Sequence, residues 1–206
     1  MNRLEILLGE ESAERVLRAL VPKIVGAENA RTVAYRTFRG KGALIRQLPT
    51  LLKGYKARIK AGEQLRVLVL IDQDSEDCEA LKRHLEQIVL ESGLIPRSMA
   101  TTAKPFQVLN RIAVEELEAW YFGDIAALRQ AYPKAVERLN RFKDRDPDSI
   151  SDPTKNLERF LKQAGYYRNG MPKIEVAQRV AAHMQPERNR SRSFQVFCEG
   201  LKACLT

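Results

Sequence analysis

The sequence has little with which to build several common kinds of site. Its 206 residues include only two histidines and three cysteines. Cys78, Cys198 and Cys204 stand far apart without metal-ligand spacing, which excludes a zinc ribbon and a disulfide framework and points to reduced structural thiols. His84 and His183 are lone side chains on helical segments, distant in sequence from other ligand types. No Ser-His-Asp or Cys-His arrangement is recognisable, and no dinucleotide-binding glycine fingerprint is present. No apolar run approaches the ~20 residues that span a bilayer. Met1-Asn2-Arg3-Leu4-Glu5 carries an acid where a secretion signal carries a basic stretch, so the sequence predicts a cytoplasmic protein with no membrane contact. Internal repeats, heptads and low-complexity tracts are absent as well.

Charge, by contrast, is plentiful. Thirty per cent of residues are charged and the net charge is +9, a balance that favours a polyanionic partner such as nucleic acid. A hydrophobic fraction of 44% leaves ample material for a core.

The most informative stretch is Arg66-Val67-Leu68-Val69-Leu70-Ile71-Asp72-Gln73-Asp74. A continuous β-branched apolar run reads as a strand buried on both faces, at the centre of a parallel sheet. Asp72 and Asp74 then stand at its carboxyl end, the edge where open α/β sheets place ligands. Two carboxylates there repel unless a proton or cation lies between them, and a hard divalent ion suits oxygen ligands. The alternative is that the two aspartates cap the helix that follows.

Leu4–Leu8 reads as a first strand and Gly9–Glu14 as a strand-to-helix turn, with Ser12 as helix cap. Thr32–Phe38 alternates as a second strand. Arg39-Gly40-Lys41-Gly42 is a basic glycine turn before a helix through Leu52. It lacks the Gly-Lys-Ser/Thr ending of a P-loop, which excludes that ATPase site, but its backbone and Arg39 and Lys41 suit a phosphate. Glu79–Glu91 reads as a helix and Phe106–Val114 as a fourth strand. The acidic-aromatic segment Glu115–Asp124 reads as the first turns of another helix. The β-α-β-α-β order predicts a mainly parallel sheet. Beyond 124 the chain turns basic and helical. Asp144–Pro153, rich in Asp, Ser and Pro, reads as a linker or mobile loop. Helices follow around Leu157–Ala164, Lys173–Met184 and Phe194–Leu201, and Arg188, Arg190 and Arg192 precede the last as candidate phosphate contacts. The expected division is 1–125 for the α/β domain and 126–206 for a helical portion packed on it.

The acids form two groups. Glu10 (or Glu11), Asp72 and Asp74 come from two strand ends that a parallel sheet can place side by side. Glu116 and Glu118 diverge on a helix, so one of them is expected to point into the site. A second acidic group allows a second metal, and two ions about 4 Å apart can clamp the attacking and leaving oxygens of a phosphodiester.

An acid after the first strand followed by Asp-x-Asp after a later hydrophobic strand resembles a TOPRIM domain, the Mg²⁺-binding module of topoisomerases, primases and overcoming-lysogeny-defect nucleases. More closely, the chain resembles a bacterial family, domain of unknown function 4276, with a TOPRIM-like fold. The matching segments are Gly9–Glu14, Phe38–Lys41, Leu70–Asp74, Arg111–Trp120 and Arg192–Phe194, with Glu116-Leu117-Glu118-Ala119-Trp120 the most specific.

The resemblance implies an α/β TOPRIM-like sheet flanked by helices, with a helical C-terminal portion. It implies a nuclease using Mg²⁺ or Mn²⁺, in phage defence or DNA processing, beside an AAA-type ATPase. Glu10, Asp72, Asp74 and Glu118 would hold metal, and Glu116 would complete the catalytic acids. Here Gly9-Glu10 reverses the Glu-Gly order usual after a TOPRIM first strand. That departure supports an alternative, a catalytically silent regulatory or nucleic-acid-binding partner of an ATPase. DNA against RNA, and the oligomeric state, stay open at this point.

Overall fold

The computed structural model describes residues 3–206; Met1 and Asn2 of the first stretch lie outside the described residues. In chain order the elements are β1 (Arg3–Leu8), α1 (Glu11–Val25), α2 (Ala27–Ala30), β2 (Val33–Thr37), α3 (Lys41–Lys60), β3 (Leu65–Asp72), α4 (Cys78–Glu91), β4 (Val108–Ala113), α5 (Ala119–Gly123), α6 (Ile125–Ala131), α7 (Val136–Leu139), α8 (Pro153–Gln163), α9 (Lys173–His183) and α10 (Arg192–Leu205). The strands form one parallel sheet in the order β2-β1-β3-β4. This is the helix-flanked parallel α/β sheet that the sequence predicts.

β3 shows why its run of aliphatic residues carries no polar alternation. Leu68 and Leu70 pack in the core beneath α1 and α10. Val67, Val69 and Ile71 point to the other face, against α3 and α4. Side chains alternate faces along a strand, so a strand covered on both sides must be apolar throughout. The C-terminal helices share the first of these cores: Leu157, Val180, Phe194 and Phe197 lie with Leu4, Leu17 and Leu68. Trp120 sits there fully buried, its Nε1–H donating to Ser193 Oγ at 2.9 Å. The cysteines are free thiols.

Three expectations need correcting. The residue at the N-cap of α1 is Glu10, in extended conformation. Ser12 lies inside the helix, buried, with its Oγ unpartnered. The segment after β4 does not begin a helix at Glu115. Glu115 takes a left-handed φ of 60°, and Asp72 Oδ1 accepts the Leu117 N–H at 3.0 Å, so residues 114–118 form a turn ahead of α5. Finally, 144–153 is no free linker. Pro147, Ile150 and Pro153 are buried, and the Asp148 carboxylate accepts from Ser191 Oγ at 2.6 Å and from the Ser193 N–H at 2.7 Å. A charged acceptor holding two donors contributes about 2–3 kcal/mol. Asp148→Ala should cost that much in denaturant unfolding and should open 144–153 to limited proteolysis.

Candidate active site

The chain runs from β1 outward to β2, then crosses back to β3 and on to β4. The order therefore reverses between β1 and β3, and a crevice opens at their carboxyl ends at such a switch point. Glu10 follows β1 and Asp72 ends β3, so both stand at that crevice. Gly9, Glu10, Lys41, Asp72, Asp74, Glu116 and Lys173 are among the residues that line a cavity of about 150 Å³ there.

Each acid has a distinct local setting. Asp72 uses Oδ1 to hold the turn at Leu117. Removal from water pushes its carboxyl well above the usual aspartate range, and Glu118, Glu10 and Asp74 push the same way. Glu118 is 3% exposed. Its carboxyl is raised by burial, while Lys173 pulls the other way and Glu10 adds to the rise. Glu118 Oε2 is buried without a hydrogen-bond partner. Asp74 is exposed and left-handed, with φ 54°; its N–H donates to the Glu115 carbonyl at 2.7 Å. That link ties the end of β3 to the turn after β4. Asp77, not Asp72 or Asp74, caps α4, accepting from the Ala80 N–H at 2.7 Å. The helix-cap alternative for the two aspartates is thereby removed.

Glu116 and Glu118 part company, as alternate residues of a turn do. Glu116 Oε2 accepts the Thr154 N–H at the start of α8, at 2.8 Å. Glu118 stays with Glu10 and Asp72. Glu11, the substitute for Glu10, turns outward to pair with Arg15.

The cations differ from expectation. Lys41 is not a free phosphate contact. Its ammonium donates to the Asp72 and Gln73 carbonyls at 3.1 and 3.0 Å and pairs with Asp74 and Glu76 at 2.6 Å each. Burial lowers its pKa, but Asp74 and Glu76 outweigh that and leave it raised. Arg188 is committed elsewhere: it grips the buried Asp124 carboxylate with Nε at 2.7 Å and Nη2 at 2.9 Å. Arg190 Nη2 donates to the Arg145 carbonyl at 3.2 Å. Arg39 and Arg192 are exposed, with no hydrogen bond or ion pair among the described residues.

The residue that sequence reasoning missed is Lys173, at the first position of α9. Its Nζ lies 3.6 Å from Glu10 Oε2 and 3.9 Å from Glu118 Oε1. Burial lowers its pKa, yet Glu118, Glu10, Glu116 and Asp72 together leave it raised. It is the counter-charge of the cluster. Nothing in Pro172-Lys173 marks it, because its partners stand far away in sequence.

The donor set is all oxygen, and an orphaned buried carboxylate oxygen needs a cation or a proton. The side chains thus suit a hard divalent ion, which Glu10, Asp72 and Glu118 would hold. Among the described residues, no three His, Cys, Asp or Glu side chains are gathered tightly enough to cage an ion as they stand. Lys173 takes up part of that charge instead.

The fold is shared with solved structures along its length. The C-terminal region of the Burkholderia pseudomallei OLD protein matches with a TM-score of 0.58 at 14% identity, covering 100% of each chain. The C-terminal region of the Xanthomonas campestris pv. campestris OLD protein matches with a TM-score of 0.52 at 15% identity, covering 100% of this chain and 97% of that one. A family described as Domain of unknown function (DUF4276) matches residues 9–202. No curated protein matches the chain. Among the described residues no helix is long and apolar enough to cross a membrane.

Proposed function

The chain belongs to the DUF4276 family, and from that premise we propose that it is a nuclease, or a nuclease subunit, hydrolysing phosphodiester bonds with the aid of Mg²⁺ or Mn²⁺. The observation that carries this reading is the convergence of Glu10, Asp72 and Glu118 at the switch point of the sheet, with Lys173 beside them as counter-charge. A bound divalent ion would supply Lewis-acid charge at the phosphoryl oxygens and lower the pKa of a coordinated water. Glu10, Asp72 and Glu118 provide the carboxylates for it, with Asp74 at the exposed rim. Lys173, released from the carboxylates, is placed to bind a non-bridging phosphate oxygen and offset charge as it develops. Lys41 acts on the site rather than on substrate, fixing Asp74 and the end of β3. Glu116 positions α8 through Thr154 and so steadies the turn that carries Glu118. Nucleic acid is the polyanion that the net charge of +9 favours, and an ATPase partner belongs to the same proposal.

The arrangement also supports a second reading. Lys173 offsets part of the acids' charge without any ion, as expected of a catalytically silent partner that keeps the fold and binds nucleic acid or an ATPase. Lys173→Met separates the two. In a nuclease, losing the competing ammonium should tighten Mn²⁺ binding several-fold by calorimetry. It should also lower cleavage about 100-fold, the size of one transition-state donor. In a silent partner no Mn²⁺ binding appears in either protein.

A further inference from the structure

Beside β4 lies a second concave site that the acid cluster does not use. β4 is an edge strand, and such an edge has to be covered or charged. Here α4 and α10 flank it, leaving a groove of about 280 Å³ lined by Ile112, Val114 and Val196 together with Lys82, Arg111 and Arg192. Asn110 lines it too. This residue is 1% exposed, yet neither its Oδ1 nor its Nδ2 has a hydrogen-bond partner. Buried amides are almost always paired, so a fully unpaired one asks for a ligand.

The other polar groups of the groove narrow the choice. The Asn110 backbone carbonyl already accepts from Lys82 Nζ at 2.8 Å and from Arg111 Nη1 at 3.2 Å. That leaves no free carbonyl at this point of the edge, which argues against an added peptide strand. Arg192 is exposed and free of hydrogen bonds and ion pairs among the described residues. Asp148 also lines the groove, but Ser191 and Ser193 occupy its carboxylate. Burial holds Lys82 below its ordinary value even with Glu86 beside it, and lowers Arg111, with Arg97 adding to the effect. The groove therefore has apolar walls and surplus positive charge, and in its floor a buried amide whose donor and acceptor are both unused. A free phosphate would meet the charge and accept from the amide nitrogen, but would leave the amide oxygen without a donor. A nucleotide meets all of these at once. Its base brings a flat face and a hydrogen-bonding edge, and its phosphate brings the anion.

The groove and the acid site lie on neighbouring strand ends and share no lining residue. Val114 directly follows Ala113, the β4 residue level with Asp72 on β3, and neighbouring strands lie only about 4.8 Å apart. We propose that this groove is a base-reading subsite. It takes one unpaired base, adenine by preference, from a single strand whose phosphate lies at the acids. The Asn110 amide reads the base edge, as Asn pairs bidentately with adenine, and Arg192 contacts the backbone. The substrate class rests on the nuclease reading; the groove and its unpaired amide do not.

The test uses the full chain in EDTA, so that no cleavage intervenes, with fluorescein-labelled five-nucleotide single strands of A or of T followed by anisotropy. The expected result is binding of the A strand about tenfold tighter than the T strand, the size of one good amide–base pair. Asn110→Leu should bring the A strand down to the T level without lowering the melting temperature, because it removes an unsatisfied group. Arg192→Ala should weaken both strands alike and reduce the salt slope by about one charge. Equal binding of the two strands by the wild type, or no binding of either, overturns the proposal; so does a preference that survives Asn110→Leu. Metal-dependent cleavage without an A preference would sink the groove alone. An A preference without cleavage in Mn²⁺ would sink the nuclease reading alone.

Discussion

Asp72→Asn is expected to abolish divalent-cation binding and metal-dependent cleavage while stabilising the metal-free protein. Asparagine keeps an oxygen where Asp72 Oδ1 accepts the Leu117 N–H, so the turn carrying Glu118 should hold. It removes the charge that crowds Glu118, Glu10 and Asp74. A lost charged ligand should weaken Mn²⁺ at least as much as the roughly 10–100-fold of an outer partner. In the metal-free protein, loss of a poorly solvated carboxylate should add about 1–3 kcal/mol, a rise of several degrees in melting temperature for a chain of this size.

The pH dependence has a fixed sign. Burial first, then the neighbouring acids, raise the carboxyls of Asp72 and Glu118 in the folded protein. The folded state therefore holds these protons more tightly than the unfolded chain. The stability this gives is fully present below the ordinary carboxylate range and is lost as pH rises through the raised values. Metal-free wild type should accordingly lose stability from acid toward neutral pH relative to Asp72→Asn, and Mn²⁺ should restore it. Metal uptake should release protons and tighten with pH. A wild type and variant with parallel pH profiles would contradict the crowding of these acids.

Arg188→Ala is expected to act on the fold, not on nucleic-acid affinity. Asp124 is 1% exposed and meets Arg188 through both carboxylate oxygens. Its remaining donors are the N–H groups of Ala127 and Gln185. Those bonds tie α6 to the segment after α9. Arg188 itself is exposed but Asp124 is not, so removing the arginine leaves a buried carboxylate short of two charged donors, at a cost of about 1–3 kcal/mol. Thermal or urea unfolding should show that loss. Asp124→Asn in the same chain should recover part of it, because the charge left behind disappears. A variant as stable as wild type, with weakened oligonucleotide binding, would return Arg188 to a phosphate-contact role.

The contrast between Asp72 and Arg188 shows what was readable in the sequence. β3 announces itself because a strand covered on both faces must be apolar throughout, and the acids that break the run mark its carboxyl end. Gly40, with φ 92°, is equally local: the turn into α3 needs it, and the glycine is visible. The Arg188-x-Arg190-x-Arg192 pattern misleads because spacing cannot tell a solvated arginine from one gripping a buried acid such as Asp124. Lys173 and Asp148 were invisible for a related reason. Their partners lie 163 residues away at Glu10 and 43 and 45 away at Ser191 and Ser193, and only packing of the C-terminal helices on the sheet brings them together. Glu115 misleads locally. Its left-handed φ of 60° is set by the Asp72–Leu117 and Asp74–Glu115 bonds across the strand ends, whereas its acidic neighbours resemble a helix start.

Calorimetric titration of Mn²⁺ into the wild type and Asp72→Asn, in two buffers of different ionisation enthalpy, tests the central claim most directly. Saturable binding by the wild type with net proton release, absent from Asp72→Asn, is the predicted result. No binding by the wild type, or equal binding by both proteins, would contradict the assignment of Glu10, Asp72 and Glu118 as a metal site.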